Sequence, residues 1–262
     1  MRTDRTRWGW TLLALGLSAC AAPAPRTVPH TDHAPSLKVA QVTRHLRAYM
    51  AAHYLPAQLP LEVRTALARA GSASVAFDRL VVTRQFVRHD SARDTSTTAR
   101  VTDTFIPIGH GYLQDREHIW INTLPVALNL NLSYLGLLSL EHQHLNERSG
   151  SVRAPQRLQQ LSGLTPGIAH PQPGHRYHMT LRWLGPRTEE TCIARRHERP
   201  ASRLLAALPG RALVLLCTIE RGGIVRSRIR MVYLSAYRIF LILGRDGASF
   251  TVRGRIQSIT AG

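Results

Sequence analysis

The chain has 262 residues, a hydrophobic fraction of 44%, and 34 Lys+Arg against 16 Asp+Glu, for a formal charge of +18. Such a composition buries a core in one or two domains, which excludes a wholly disordered chain, a collagen-like repeat and a disulfide-dense mini-protein. Only Lys38 is a lysine, so 33 of the 34 basic residues are arginine, the side chain suited to bidentate capture of phosphate or carboxylate.

Arg2, Arg5 and Arg7 open the chain against one acid, Asp4, and the apolar run from Trp8 to Leu17 that follows is too short to span a bilayer. This is the layout of a secretory signal. The run ends in Leu17-Ser18-Ala19-Cys20, which resembles the lipobox of bacterial lipoproteins, and the resemblance covers this leader alone. It implies a signal peptide of residues 1–19, cleavage behind Ala19 and a diacylated Cys20 as the new N-terminus. With Ala at position 21 in place of Asp, it also implies delivery to the outer membrane, facing the periplasm. One acyl chain holds a protein only marginally on a bilayer, whereas two or three on one cysteine hold it durably. Removing residues 1–19 takes away three Arg and one Asp, so the exported part keeps a charge of 31 − 15 = +16.

With Cys20 lipidated, Cys192 and Cys217 remain as an even pair in an oxidising compartment, and a disulfide between them is expected. Its loop of 26 residues, counting both ends, corresponds to about 3–4 kcal/mol of stabilisation in the chain-entropy picture.

Residues 20–36 read as a Pro-rich tether leading to a single mainly-β periplasmic domain over 37–262. Leu37, Val42, Leu46 and Met50 recur at helical spacing across 36–54, with Ser36 as a cap, and a second short helix is expected from Leu61 to Ala70. A long strand is expected over 74–87, a Ser/Thr-rich loop over 91–104 and a short strand over 118–122. In 127–135, Leu128, Leu130 and Leu132 alternate with Asn129, Asn131 and Ser133, the clearest half-buried strand. The stretch 146–174 reads as irregular, with a helical turn over 155–161, and Tyr177, Met179, Leu181 and Trp183 mark the core face of a strand over 175–184. A C-terminal meander is expected: 211–221, a Gly222-Gly223 turn, 224–234, 237–243, a turn at 244–247, and 249–260. The fold class that follows is α+β to mainly β, short N-terminal helices preceding an antiparallel sheet or sandwich.

The most specific chemical feature is basic. Arg226, Arg228 and Arg230 stand at alternate positions of one predicted strand, and Arg253 and Arg255 do so on the last; if the strands share a sheet, five guanidinium groups line one solvent face. Such a face suits an acidic protein or an anionic envelope component. Nucleic acid is not an expected partner, because the leader exports the chain and no stacking motif accompanies the arginines. His142 and His144 point the same way from one strand and are candidate metal ligands, but H-E-x-x-H and paired-Cys motifs are absent. No G-x-S-x-G or S-x-x-K motif occurs, and Glu189-Glu190 reads as solvated turn charge. The expectation is a non-enzymatic, membrane-anchored binding or structural module without cofactor. The alternatives are an immunity or inhibitor lipoprotein against a periplasmic effector, and a metal-dependent hydrolase.

Overall fold

The computed structural model describes residues 38–71 and 73–262. The leader, Cys20, the tether and the Ser36 cap lie outside the described residues. Three short helices come first: α1 (Val39–Arg44), α2 (Leu46–His53) and α3 (Leu61–Arg69). The helix expected over 36–54 is thus divided at His45, whose φ of −120° and ψ of 32° interrupt the helical path before α2 restarts. Pro60 introduces α3, and the backbone N–H of Ala70 closes it on the Ala66 carbonyl. Among the described residues no helix is long and apolar enough to cross a membrane.

After the helices the regular structure is antiparallel sheet, apart from one short turn of 3-10 helix at Ala201–Arg203. The long strands of the first half are β1 (Leu80–Asp90), β2 (Thr95–Pro107), β3 (Tyr112–Ile121), β4 (Leu124–Tyr134) and β5 (Leu138–Asn146). Short pieces follow: β6 (Ser151–Val152), β7 (Gln156–Arg157) and β8 (Gln160–Ser162). Next come β9 (Arg176–Arg182), β10 (Thr188–Ala194) and β11 (Arg199–Pro200). The meander β12 (Arg211–Arg221), β13 (Ile224–Leu234), β14 (Ile239–Gly247) and β15 (Phe250–Ala261) ends the chain. The main strand order is β6-β5-β4-β3-β2-β1-β15-β14-β13-β12-β10-β9-β8, with β7 on β5 and β11 on β12. The segment 156–162 pairs with β5 through its first half and with β9 through its second. Main-chain bonds from Leu158 N to Leu140 O and from Gln159 N to Arg182 O, both 2.8 Å, continue that double pairing. One short segment therefore bridges the two ends of the sheet.

Several sequence expectations are corrected here. The loop expected over 91–104 is a four-residue turn followed by thirteen residues of β2. Its Ser and Thr residues are tolerated because the strand is half exposed, and pairing with β1 from Leu80↔Phe105 to Asp90↔Thr95 outweighs the weak local preference. The irregular stretch 146–174 holds β6, β7 and β8, and the helical turn expected at 155–161 is extended because both its neighbours offer open strand edges. Residues 244–247 continue β14 instead of turning, with a bulge where Arg230 and Met231 face Gly244 and Ile242. Glu189 and Glu190 lie within β10, and Glu190 is buried. The β12–β13 hairpin agrees with expectation, with Gly222 and Gly223 both at positive φ, as a two-residue turn requires.

Near the β13–β14 turn, the β12–β14 ribbon is buried on both faces. Leu213, Leu215, Cys217, Met231, Tyr233 and Phe240 belong to a cluster shared with the helices, Leu128, Leu130 and Leu132 of β4, and Tyr177, Met179 and Leu181 of β9. The alternate residues Ala212, Val232, Leu234, Ile239 and Leu241 belong to a second cluster, with Leu80, Val82, Phe105, Leu113 and Ile256. Cys192 and Cys217 are directly opposed across β10 and β12 and form a disulfide.

The β4–β5 turn packs against β14. The Phe240 N–H donates to Leu135 O at 2.8 Å, and Gly136 holds φ +69° with its missing Cβ position 2.5 Å from the Phe240 carbonyl oxygen. A methyl group there meets backbone in a conformation L-residues avoid, so Gly136→Ala is expected to cost about 2 kcal/mol or more. Urea titration at constant m value measures it.

Candidate functional site

The register decides how far the five predicted arginines share a face. Arg230 lies opposite Gly244, which lies opposite Arg253, and Arg228 lies opposite Asp246, itself opposite Thr251. Arg228, Arg230 and Arg253 therefore project from one face of a three-stranded patch, alongside Leu216 and Thr218 of β12. Asp246 pairs with Arg253 on that patch. Arg255 is directed to the other neighbour, β1, where its Nε and Nη2 donate to Gln85 Oε1 at 2.9 and 2.5 Å. Arg226 is the extra residue of a bulge, since Ile219 and Glu220 pair with Ser227 and Val225. The face is basic but less regular than strict alternation implies.

A crevice opens beside it. β14 and β15 pair only through Gly244–Asp246 with Thr251–Arg253, and beyond that point the two strands part. Where they part, a cavity of about 380 Å³ is enclosed by Leu243 of β14, Gly254–Ile256 of β15, Ala212 and Val214 of β12, Arg230 of β13 and the connection 195–204. Its floor is apolar: Leu204, Ala212, Val214, Leu243 and Ile256. Five arginines, Arg195, Arg199, Arg203, Arg230 and Arg255, line it together with His197, and no carboxylate does. Among the described residues none of those five guanidinium groups has a carboxylate oxygen within 4.0 Å. Glu198, the one acid in the segment 195–203, is engaged by Arg211, whose Nε donates to its Oε2 at 2.6 Å. Arg230 Nη2 donates to Leu243 O at 3.4 Å, which ties the predicted arginine face to the crevice wall.

Two of the crevice arginines, Arg230 and Arg255, were visible in the sequence as strand alternation. Arg195, Arg199 and Arg203 were not assigned, although the run Arg195-Arg196-His197-Glu198-Arg199 is the densest basic cluster in the chain. A second basic hollow of about 290 Å³ lies between Leu216, Arg228, Arg230 and Arg253, but Asp246 shares it. A wider groove of about 830 Å³ between α3 and β8 has only Glu62 and Arg69 as charged lining.

A separate polar network crosses β1 to β5. Asp103, Glu117, Asn129 and His144 lie in one cross-strand row, and Phe105, Asp115, Asn131 and His142 in the next. Arg84 forks onto Asp103 from Nε and Nη2 at 2.8 and 2.7 Å, and its Nη1 donates to Ile242 O at 2.7 Å. His144 Nδ1 donates to Asn129 Oδ1 at 2.7 Å, and Asn129 Nδ2 donates to Glu117 Oε2 at 2.6 Å. Burial raises the Asp103 carboxyl to about 6 against the pull of Arg84. Burial, and then the charges of Asp103 and Glu117, push the Asp115 carboxyl well above the usual range. The sequence conceals this network because Asp103, the partner of Arg84, lies on the stretch read as a loop, and the rows that join the other members exist only through strand pairing.

His142 and His144 share a face as expected, but not a ligand set. His144 is committed to Asn129, and His142 packs edge-on to Trp183 with ring centroids 4.9 Å apart. Burial lowers the His142 pKa. Among the described residues, the one grouping of three potential ligand atoms is Glu190 with Cys192 and Cys217, and the disulfide occupies both sulfurs. Among the described residues, no group of three potential ligand atoms includes either histidine.

No family model and no curated protein sequence matches the chain. Solved structures with a similar course include the β-barrel-like protein of domain of unknown function DUF1849 from Brucella abortus, at 9% identity and TM-score 0.41, covering 72% of this chain and 100% of that one. A domain described as that of an outer membrane lipoprotein-sorting protein, from Vibrio parahaemolyticus, matches at 9% identity and TM-score 0.38, over 76% of this chain and 90% of its own. A DUF1329 family protein from Desulfovibrio piger matches at 9% identity and TM-score 0.39, over 77% and 90%.

Proposed function

We propose that the chain is a lipid-anchored envelope lipoprotein, held through acylated Cys20 in the outer membrane and facing the periplasm, whose mainly-β domain binds an anionic partner without catalysing a reaction. The anchor rests on the leader and on Leu17-Ser18-Ala19-Cys20. The binding role rests on one observation above the others: Arg195, Arg199, Arg203 and Arg230, none with a carboxylate partner, line a single crevice whose edge is completed by Arg255, held by Gln85, beside the face that carries Arg228 and Arg253. Guanidinium groups left without acids in a chain with 16 Asp+Glu against 34 Lys+Arg are charge available to a partner, and Arg presents it in a fork that matches phosphate and carboxylate oxygens. Nucleic acid is not the partner in this reading, because the leader directs the chain out of the cytoplasm.

Two measurements in the native host test the reading. Labelling with a radioactive palmitate precursor is expected to tag the chain and to fail completely in Cys20→Ser; label retained by that variant removes the anchor. Replacing Arg226, Arg228 and Arg230 together by Ser is expected to weaken crosslinking of the anchored chain to its envelope partner at least tenfold at 150 mM salt. Unchanged capture removes the basic face from the function.

A further inference from the structure

We infer that the crevice between β14 and β15 is a binding site for an amphiphilic phosphate, with the phosphate head among the arginines and a single aliphatic chain on the apolar floor. The inference rests on the anion-binding reading above and narrows it from an anionic partner of any kind to a small amphiphile.

The floor supplies the first half of the argument. Leu243, Ile256 and Ala212 are 4–5% exposed and belong to the apolar cluster that fills the space between the β12–β14 ribbon and β1–β3. Leu204 packs against the same cluster from the segment that follows β11. An aliphatic chain entering here extends an existing core and removes its end from water, which stabilises the complex by about 25 cal/mol per Å² of apolar surface covered. A purely hydrophilic anion gains nothing from that floor.

The rim supplies the second half. Arg195, Arg199 and Arg203 come from the connection between β10 and β12, whereas Arg230 comes from β13, so the charges approach from two sides; Arg255 of β15 lines the edge with its Nε and Nη2 already donated to Gln85. A phosphate monoester offers several oxygens to such a ring and accepts more than one bidentate fork at once, which a lone carboxylate does not. Glu198, which lies between two rim residues in sequence, is turned onto Arg211 and does not neutralise the ring.

Size excludes the other occupant. A cavity of about 380 Å³ falls in the lower part of the range typical of small-molecule sites, roughly 300–1,000 Å³. An acidic protein surface needs about 800 Å² on each partner and cannot enter a hollow of this width.

The test uses the full-length chain in phosphatidylcholine nanodiscs at 150 mM salt, with empty nanodiscs subtracted. Mono-dodecyl phosphate is titrated calorimetrically beside inorganic phosphate and nonionic dodecyl maltoside. One saturable site per chain is expected for dodecyl phosphate, at least tenfold tighter than for either comparator. Arg199→Ser with Arg230→Ser is expected to weaken it at least tenfold. Val214→Trp, which fills the apolar part and leaves every arginine in place, is expected to abolish the advantage of the tail while inorganic phosphate still binds. Circular dichroism and thermal midpoints confirm that both variants fold. Dodecyl phosphate binding no tighter than inorganic phosphate overturns the inference and leaves the anion-binding reading standing. Dodecyl maltoside binding equally well, or both variants binding like the parent, also overturns it. Saturable binding of none of the three probes also overturns the inference, and the anion-binding reading is then decided by the crosslinking measurement above.

Discussion

An Arg84→Ala chain is expected to be less stable than the parent by about 3–5 kcal/mol, enough to leave the domain marginal. Arg84 and Asp103 are 5% and 2% exposed and are joined by two parallel hydrogen bonds of 2.8 and 2.7 Å. Removing the guanidinium strands the Asp103 carboxylate in a buried position beside Glu117 and Asp115, and it leaves Ile242 O without the donor at 2.7 Å that ties β14 to β1. The attraction between two buried charges roughly offsets the cost of desolvating them, so the loss comes from orphaning one partner and not from the pair being strongly favourable. The double variant Arg84→Leu with Asp103→Leu is therefore expected to recover most of the stability that Arg84→Ala loses. Guanidinium-chloride unfolding of the three chains checks this, and a double variant no better than Arg84→Ala contradicts the account.

The domain is expected to become less stable as pH rises from about 5 to about 8, the reverse of ordinary acid denaturation. Burial lifts the Glu190 carboxyl from 4.5 to about 7, with Arg245 pulling weakly the other way. Its folded-state pKa exceeds its unfolded one, so the folded chain holds this proton more tightly. The resulting stability is complete below about pH 4.5 and is lost as pH rises through 7. Asp103, raised from 3.8 to about 6, acts with the same sign in a window about one unit lower. At 1.36 kcal/mol per pKa unit, the total Glu190 contribution across this window is on the order of 3 kcal/mol. Glu190→Gln keeps the shape, carries no charge at any pH, and is expected to flatten the profile and raise the midpoint at pH 8. Thermal unfolding from pH 4.5 to 8.5 reads both effects.

How much of this was legible in the sequence depended on which force set each element. β4, β9, β12 and β13 were readable because a period of two in Leu, Met, Tyr and Val coincides with burial on one face, and because Gly-Gly demands a tight turn. β2, β7, β8 and β10 were not readable, since their residues are polar and become strand only by pairing with neighbours that the sequence does not place beside them. The same division governs the site. Arg230 and Arg255 follow from alternation along their own strands, whereas Arg195, Arg199 and Arg203 reach the crevice through a connection whose path is tertiary. The Cys192–Cys217 bridge was accessible to simple counting once the resemblance to a lipobox set Cys20 aside.

The pairing of β1 with β15 sets how this chain acquires its structure. Leu80 lies opposite Ala261, and the N–H groups of Asp78 and Arg79 donate to the carbonyl of Gly262, at 3.0 and 2.9 Å. The contact joins residues 181 positions apart (261 − 80), so the chain must close a loop of nearly the whole domain before the central pair of its sheet exists. Loop-closure entropy precedes any reward from such pairing, and topologies dominated by distant contacts fold in milliseconds to seconds instead of microseconds. Until β15 arrives, β1 presents an open hydrogen-bonding edge that a second copy of the chain can occupy. The last dozen residues are thus both the closing step of folding and the guard against aggregation on the way.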